Sequence, residues 1–451
     1  MSSSSPPVRV AICGGGIGGL ALAVTLGKYS TIPVDIYEAA SELTTIGAGI
    51  SVWRRTWRIM QLLGLDIELA KKAIQPPKEE PRPGFIFRKS DQIDGHEFFR
   101  MMAPYGSITL HRADLVDVLK SSLPPSCKIH VSKRLASYTQ SSSSTIMLHF
   151  EDGTTAESDV LVGADGIHSP TRTSMFRPMV EKVTDPDQRS DFRQKIEPKW
   201  TGTVLYRALI PTHTFFAKYP EHESALKPMI YVGKDKHFIS YPISHGRFVN
   251  VAAFVNIPNG EGTMFEGKWV SDVPRQEVVD HFVGWEHEVR ALVDCMDDPS
   301  RWVIHVMGSL PAYATERVAL IGDAAHAMHT HLGAGAGQAI EDAYILGRLL
   351  SNVPTSPSNI HDALKVYETI RLPFANELVW KTRATGLMYE FNDSWQVEAW
   401  NERESVGEAE LKELSRKIYG QWEWHWTTRF DDDLERALLL LGDATTDIDV
   451  C

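Results

Sequence analysis

The stretch Val8-Arg-Val-Ala-Ile-Cys13-Gly14-Gly-Gly16-Ile17-Gly-Gly19-Leu20-Ala-Leu-Ala-Val-Thr-Leu26 decides the fold. Its first six residues form a short, nearly continuous apolar run, the pattern of a strand buried on both faces. Glycines follow, then a helical run from Leu20. A second apolar run, Val34-Asp-Ile-Tyr37, ends at Glu38. Strand, glycine turn, helix, strand and acid in this order are the setting in which GxGxxG binds a dinucleotide. Gly14 permits the tight turn, Gly16 lets a pyrophosphate reach the backbone, and Gly19 lets the helix pack on the strand. Glu38 accepts hydrogen bonds from an adenosine ribose, with Ile17 and Ala39 beside these contacts. The bland alternative is a glycine-rich turn that binds nothing.

A second stretch, Gly322-Asp323-Ala-Ala-His326-Ala-Met-His329-Thr330-His331-Leu-Gly333-Ala-Gly335-Ala336-Gly337, follows the apolar run Val318–Ile321. It leads into an amphipathic helix expected over residues 333–350. Gly333, Gly335, Ala336 and Gly337 leave the first helical turn nearly bare. Its unpaired N–H groups and positive dipole end are open to an anion. Asp323 stands at a strand's carboxyl end, where α/β folds place ligands. A third stretch, Val160-Leu-Val-Gly163-Ala-Asp165-Gly166, again delivers an Asp-Gly pair at a strand end, with Ser169 as a helix cap.

Elsewhere the signals are weaker. A further glycine connection over residues 45–52 makes Gly49 and Ile50 cofactor candidates. Arg54, Arg55 and Arg58 follow on a helix that ends near Gly64, either reaching a phosphate or forming a solvated face. Residues 75–84 read as a loop. Arg112 opens a helix; a cation there opposes the dipole and points to an anionic partner or to a plain surface arginine. Lys128–Val131, Leu135–Gln140 and Thr145–Glu151 read as a small antiparallel sheet, with Ser141–Ser144 as a turn. Residues 184–311 are β-rich, with helices near 274–285 and 288–293, and 302–306 return the chain to the first domain. Trp395, Trp400, Trp422, Trp424 and Trp426 mark a helical or irregular end, as packing or dimer-contact residues. Residues 443–451 read as a frayed tail.

With 451 residues and a net charge of -12, the chain suits two or three globular domains and not a nucleic-acid surface. Its four cysteines are far apart and fit a reducing compartment, and no apolar run is long enough for a membrane span. A cytoplasmic setting is expected.

The three motifs, in this order, resemble the single-component (class A) FAD-dependent aromatic hydroxylases, above all the fungal salicylate hydroxylase-like branch. The resemblance runs from about Val8 to at least Arg383. It implies an α/β Rossmann-type FAD-binding domain with an inserted β-rich substrate domain and a helical C-terminal part. The expected division is 1–183 and 312–390 for FAD, 184–311 for substrate, and 391–451 as the extension. It further implies a monooxygenase that uses NADH or NADPH and O2 to hydroxylate a phenolic or hydroxybenzoate-type ring through a flavin C4a-hydroperoxide, with or without loss of carbon dioxide. In its terms Gly14, Gly16, Gly19, Glu38 and Arg112 hold the FAD diphosphate and ribose, Asp165 belongs to an Asp-Gly pair implicated in FAD and nicotinamide cofactor binding, and Asp323 hydrogen-bonds the ribityl chain. Gly333 opens the helix that faces the flavin. Arg207 matches an arginine that holds substrate, and Tyr241 falls near a substrate-bracketing tyrosine. Thr330 stands where the family reads proline, and Trp53-Arg54-Arg55 replaces its Trp-Pro-Asn. His326, His329 and His331 are metal-like in spacing, but no metal is expected; His331 is instead a candidate proton shuttle. A dearomatising hydroxylase of a polyketide phenol, an isoprenoid epoxidase or reductase on the same fold, and an FAD-fold carrier remain alternatives. A homodimer is compatible with the chain.

Overall fold

The structure, a computed structural model, describes residues 8–43, 49–73, 80–105, 108–140, 145–353, 357–393 and 406–446. Five strands form a parallel sheet in the order Val318–Leu320, Val160–Gly163, Val10–Cys13, Val34–Tyr37, Cys127–His130. Cys13 sits opposite Gly163 and Tyr37, and Gly163 opposite Leu320. This register ends all five strands at one level, so the three glycine-bearing turns leave the same edge of the sheet. The chain runs one way from Val10–Cys13 through the helix Ile17–Tyr29, and the strand Val160–Gly163 is added on the other side. That is a topological switch point, where α/β sheets open a crevice. The FAD-type α/β fold expected above is the fold observed.

Over this crevice lies an eight-stranded sheet. Its order is Val270–Asp272, Ser300–Val306, Lys199–Pro211, Phe248–Glu261, Lys236–Ile243, Met229–Gly233, Arg82–Lys89, His96–Ala103. Two of these strands precede residue 184, so the expected boundary there does not separate the layers. The expected loop at 75–84 gives way to a strand from Arg82, because Arg82–Lys89 pairs in parallel with Met229–Gly233. Likewise Ser300–Val306 remains in the cover, hydrogen-bonded to Lys199–Pro211, instead of returning to the first domain. Cys127–His130 leaves the expected antiparallel group and extends the parallel sheet beside Val34–Tyr37. The three strands Leu135–Gln140, Ile146–Phe150 and Thr155–Ser158 form that small antiparallel sheet among themselves.

The helix Arg54–Leu63 ends at Gly64, whose φ of 79° supplies the left-handed cap. The long helix Pro357–Tyr389 and the C-terminal helices Glu408–Trp422 and Phe430–Thr446 close the back of the molecule. Trp422, Trp424 and Trp426 are buried there against the cover sheet, as packing residues. The last helix runs through Thr446, into the stretch expected to fray. Trp395, Trp400, the Ser141–Ser144 turn and residues 45–48 lie outside the described residues. No helix among the described residues is long and apolar enough to cross a membrane.

Candidate active site

A cavity of about 410 Å³ lies between the parallel sheet's carboxyl edge and the cover. All three turns contribute to its wall: Gly16 and Ile17 from the first, Ala164 and Gly166 from the second, Gly322 and Asp323 from the third. The antiparallel pairing of Gly49–Val52 with Ile108–His111 sets Gly49 opposite His111 and so brings Gly49, Ile50 and Arg112 to one side. Gly333, Gly335 and Ala336 close the floor. A hollow of about 520 Å³ opens beside the Arg58–Asp431 ion pair, but none of the glycine turns reaches it.

The glycines divide by task. Gly14 and Gly19 do not line the cavity. At Gly14, with φ +108°, a Cβ would fall 2.1 Å from the Ala164 carbonyl oxygen, and at Gly19 one would fall 2.0 Å from that of Gly14. They let the turn and helix close on the sheet. At Gly16 and Gly335 a Cβ would meet nothing within 4 Å, because both face the open cavity. The helices Ile17–Tyr29 and Gly335–Asn352 both start at this wall without a side-chain cap, leaving backbone donors exposed there. The second begins at Gly335, two residues later than expected, because Gly333 is left-handed.

The acids divide similarly. Glu38 Oε2 accepts from Gly15 N–H (2.7 Å) and Oε1 from Ala40 N–H (2.8 Å), so Glu38 fixes the glycine turn while keeping further lone pairs. Ala39 beside it is half-buried and outside the cavity wall. Asp165 does not line the cavity either. Its carboxylate accepts from Ser169 Oγ, Thr171 N–H and Thr171 Oγ1, at 2.5, 3.0 and 2.6 Å. Burial pushes its pKa up against the downward pull of those donors. Ser169 Oγ in turn accepts from Arg172 N–H and caps the helix Pro170–Lys182. Ser169→Ala should therefore lower stability by about 1–2 kcal/mol in urea denaturation, the loss of a cap and of one carboxylate partner. Asp323, by contrast, is exposed on the cavity wall.

The cover supplies the other wall. Period-two alternation and the register Leu205↔Phe254, Arg207↔Ala252, Ile239↔Ala252, Tyr241↔Asn250 put all these side chains on one face. All seven line the cavity. Arg207 is half-buried there with no carboxylate within salt-bridge reach among the described residues; its guanidinium lies 5.7 Å from the Trp302 ring. Burial pushes its pKa down, Tyr241 raises it and Arg112 lowers it further. Burial raises the Tyr241 hydroxyl, which Arg207 opposes. Tyr241 also explains Gly49: a Cβ there would lie 2.8 Å from the phenol ring.

The three clustered histidines diverge. His326 Nε2 lies 2.5 Å from Asp342 Oδ2, His329 lines the cavity, and His331 is turned behind the wall, its Nδ1 3.0 Å from the Thr382 carbonyl oxygen. Arg55 answers neither expectation, whereas Arg58 stays exposed on the solvated face of the helix. Arg55 is buried against Glu341 (2.8 Å) and Asp433 (2.5 Å), and Arg58 pairs with Asp431. Both tie their helix to the C-terminal one. Asn250, Phe254 and Met328 line the cavity without having been singled out in the sequence. The alternation that places Asn250 and Phe254 beside each other is visible in the sequence; which face meets the crevice is not.

The profile of the FAD binding domain family matches residues 7–191 and 261–382. The salicylate hydroxylase of Pseudomonas putida is 33% identical over 98% of this chain and 97% of its own. The FAD-dependent monooxygenase str9 of Strobilurus tenacellus is 33% identical over 96% and 98%. A solved salicylate hydroxylase substrate complex superposes with a TM-score of 0.79 at 30% identity, covering 96% of this chain and 98% of that one. The chain belongs to the FAD-dependent aromatic monooxygenases.

FAD fits the monooxygenase's cavity by the chemistry of its wall. Gly16 and Gly335 leave space that a Cβ would fill, two uncapped helix starts face it, and Arg112 stands exposed beside them. That combination suits a pyrophosphate and an anionic ring edge. Behind the wall a buried ion network holds the third turn in place. Asp342 accepts from Gly322 N–H (2.9 Å) and Arg371 Nε (2.7 Å). Burial pushes its carboxyl up, but His326, Arg371 and Gly322 win and hold it at about 2.

His425 links this site to the C-terminal helices of the monooxygenase. Its Nε2–H donates to the Leu332 carbonyl oxygen (3.1 Å), and its ring stacks on Trp53 at 4.3 Å. Burial lowers its pKa from 6.5 to about 3, partly opposed by the Leu332 carbonyl. A depressed histidine binds its proton more readily in the unfolded chain. Its contribution to stability is complete above pH 6.5 and is lost as pH falls toward 3. Stability should drop by about 1.4 kcal/mol per pH unit from this residue below pH 6. Chemical denaturation at pH 7 and pH 5 measures it, and His425→Gln should shrink the difference by this residue's share, the buried His237, His329 and His331 supplying the rest.

Proposed function

We propose that this monooxygenase hydroxylates a small phenolic acid of the hydroxybenzoate type, with Arg207 holding its carboxylate or phenolate. The observation that carries the proposal is the guanidinium of Arg207, among the described residues the one charged group on a wall shared with Leu205, Ile239, Tyr241, Asn250, Ala252 and Phe254. A half-buried cation without an acidic partner is a poor structural element and a good anion receptor. Tyr241 and Asn250, paired with each other on neighbouring strands, add polar atoms to the same wall. The apolar residues take the ring and keep water from it.

Around FAD the chain's roles follow from placement. Backbone N–H groups at the starts of the helices Ile17–Tyr29 and Gly335–Asn352, with Arg112, would receive the diphosphate and the electron-rich pyrimidine edge. The free lone pairs of Glu38 would take ribose hydroxyls, and Asp323 a hydroxyl of the ribityl chain. Asp165 acts at one remove, holding Ala164 and Gly166 against the cofactor. His329, on the wall, is better placed than His331 to exchange a proton with substrate. When bound and reduced by NADH or NADPH, FAD supplies the activated oxygen, one atom of O2 going to the ring and the other to water. Should the attacked carbon bear the carboxylate, carbon dioxide leaves. The free thiols Cys13, Cys127 and Cys295 support a cytoplasmic setting.

A panel of hydroxybenzoates, uncharged phenols, a polyketide phenol and an isoprenoid tests the reading, with NADH and NADPH consumption, product identity and released carbon dioxide as readouts. Anionic monocyclic phenols should stimulate turnover most. Stimulation by the uncharged compounds alone would remove the proposal.

A further inference from the structure

His237, His331 and Glu390 come from three distant parts of the chain and meet in the interior. His237 lies on the strand Lys236–Ile243, two residues from Ile239 and on the same face as the cavity wall. His331 lies in the turn Thr330–Leu332, just before the glycine helix, and Glu390 directly follows the long helix Pro357–Tyr389. They are 0%, 4% and 3% exposed. Phe254 separates them from the cavity, its ring stacked 4.2 Å from that of His237.

One donor atom from each of the three falls within 4.8 Å of the other two. His237 Nδ1 is 3.0 Å from Glu390 Oε1. The Thr382 carbonyl oxygen 3.0 Å from His331 Nδ1 can only accept, so that nitrogen carries the hydrogen. His331 Nε2 is left with a lone pair, and it is buried without a hydrogen-bond partner. His237 Nε2 is also buried without one. The His331 ring reaches this position only because residue 386 is glycine: a Cβ there would lie 2.2 Å from the ring's Cε1.

Two unsatisfied ring nitrogens in a dry interior are costly unless an electrophile shares them. A backbone carbonyl on the far nitrogen is the outer partner that orients a metal-bound imidazole. Imidazole with carboxylate suits a borderline divalent ion. We propose that His237, His331 and Glu390 bind one divalent transition-metal ion of the zinc class behind the substrate end of the cavity. The ion would clip together the cover sheet, the turn before the glycine helix and the long helix. It is a structural site, set apart from the oxygen chemistry, and a different group from the trio His326, His329 and His331.

The test uses full-length, FAD-loaded protein grown with zinc, then freed of loose metal by gel filtration in the presence of a weak chelator. Elemental analysis should find about one ion per chain, and zinc should raise the melting temperature of metal-stripped protein. Glu390→Gln and His331→Asn should lose the ion while keeping flavin absorbance. If those variants do not fold, cobalt titration of stripped wild-type protein decides, by the appearance of ligand-field bands with imidazole coordination. Less than about a tenth of an ion per chain in folded wild-type protein with no ligand-field bands, or equal metal in wild type and both variants, would overturn the proposal. A water bridging the two ring nitrogens would then be the occupant.

Discussion

Gly16→Val is expected to yield a folded protein that no longer retains FAD. The backbone at Gly16 has φ -74° and ψ -173°, an extended conformation that valine adopts readily. No atom lies within 4 Å of the Cβ it would gain. The residue precedes the helix Ile17–Tyr29 and caps it with no side chain, so the fold should lose no more than about 1 kcal/mol. The added isopropyl group instead occupies cavity space next to Ile17 and across from Gly335 and Ala336. It displaces the pyrophosphate from the helix N–H donors. A rise of about 1,000-fold in the FAD dissociation constant, or about 4 kcal/mol, is expected. Gly14→Ala makes the contrast. Its Cβ would strike the Ala164 carbonyl at 2.1 Å from a φ of +108°, so that variant should fail at the level of folding. Circular dichroism and flavin fluorescence separate the two outcomes. Stoichiometric flavin in folded Gly16→Val would refute the cavity assignment.

What the sequence made legible was local. Val10–Cys13, Val160–Gly163 and Val318–Leu320 are apolar runs that end in small residues, and each signals a buried strand with a ligand-facing turn. Their common level could be inferred because parallel strands wound by helices share one carboxyl edge. What escaped was decided by partners far along the chain. Arg82–Lys89 becomes a strand by pairing with Met229–Gly233, and nothing near residue 82 announces that. Arg55 looks like a solvated helical cation until Glu341, 286 residues away, and Asp433, 378 residues away, arrive to bury it. Asp165 reads as a ligand contact because of the glycine after it, yet Ser169 and Thr171, four and six residues on, claim its oxygens. That spacing was in the sequence, and it is a helix-capping signal. The histidines were the hardest. His329 lines the cavity while His331, two residues on in a tight turn, points behind the wall, so neighbours in sequence face opposite sides of it.

Arg207→Ala is expected to leave FAD bound while raising the Michaelis constant for an anionic phenol by about 100- to 1,000-fold, or about 3–4 kcal/mol. The residue sits on the strand Lys199–Pro211 opposite Ala252, on the wall contributed by the cover. FAD would lean on the other wall, so flavin content should not change. Uncharged phenols should lose far less, because they never used the guanidinium. Arg207→Lys should recover only part of the loss, since a point charge cannot reproduce a planar pair of donors. Stability should move the opposite way from affinity. Burial already pushes the pKa of Arg207 down, which means that its charged form is held at a cost in the folded chain. Removing it should raise the melting temperature even as substrate binding collapses, the pattern of a residue kept for function against stability. Substrate titration and thermal melts on the same preparations read both. An unchanged Michaelis constant with carboxylated and uncharged phenols alike would take Arg207 out of the substrate site.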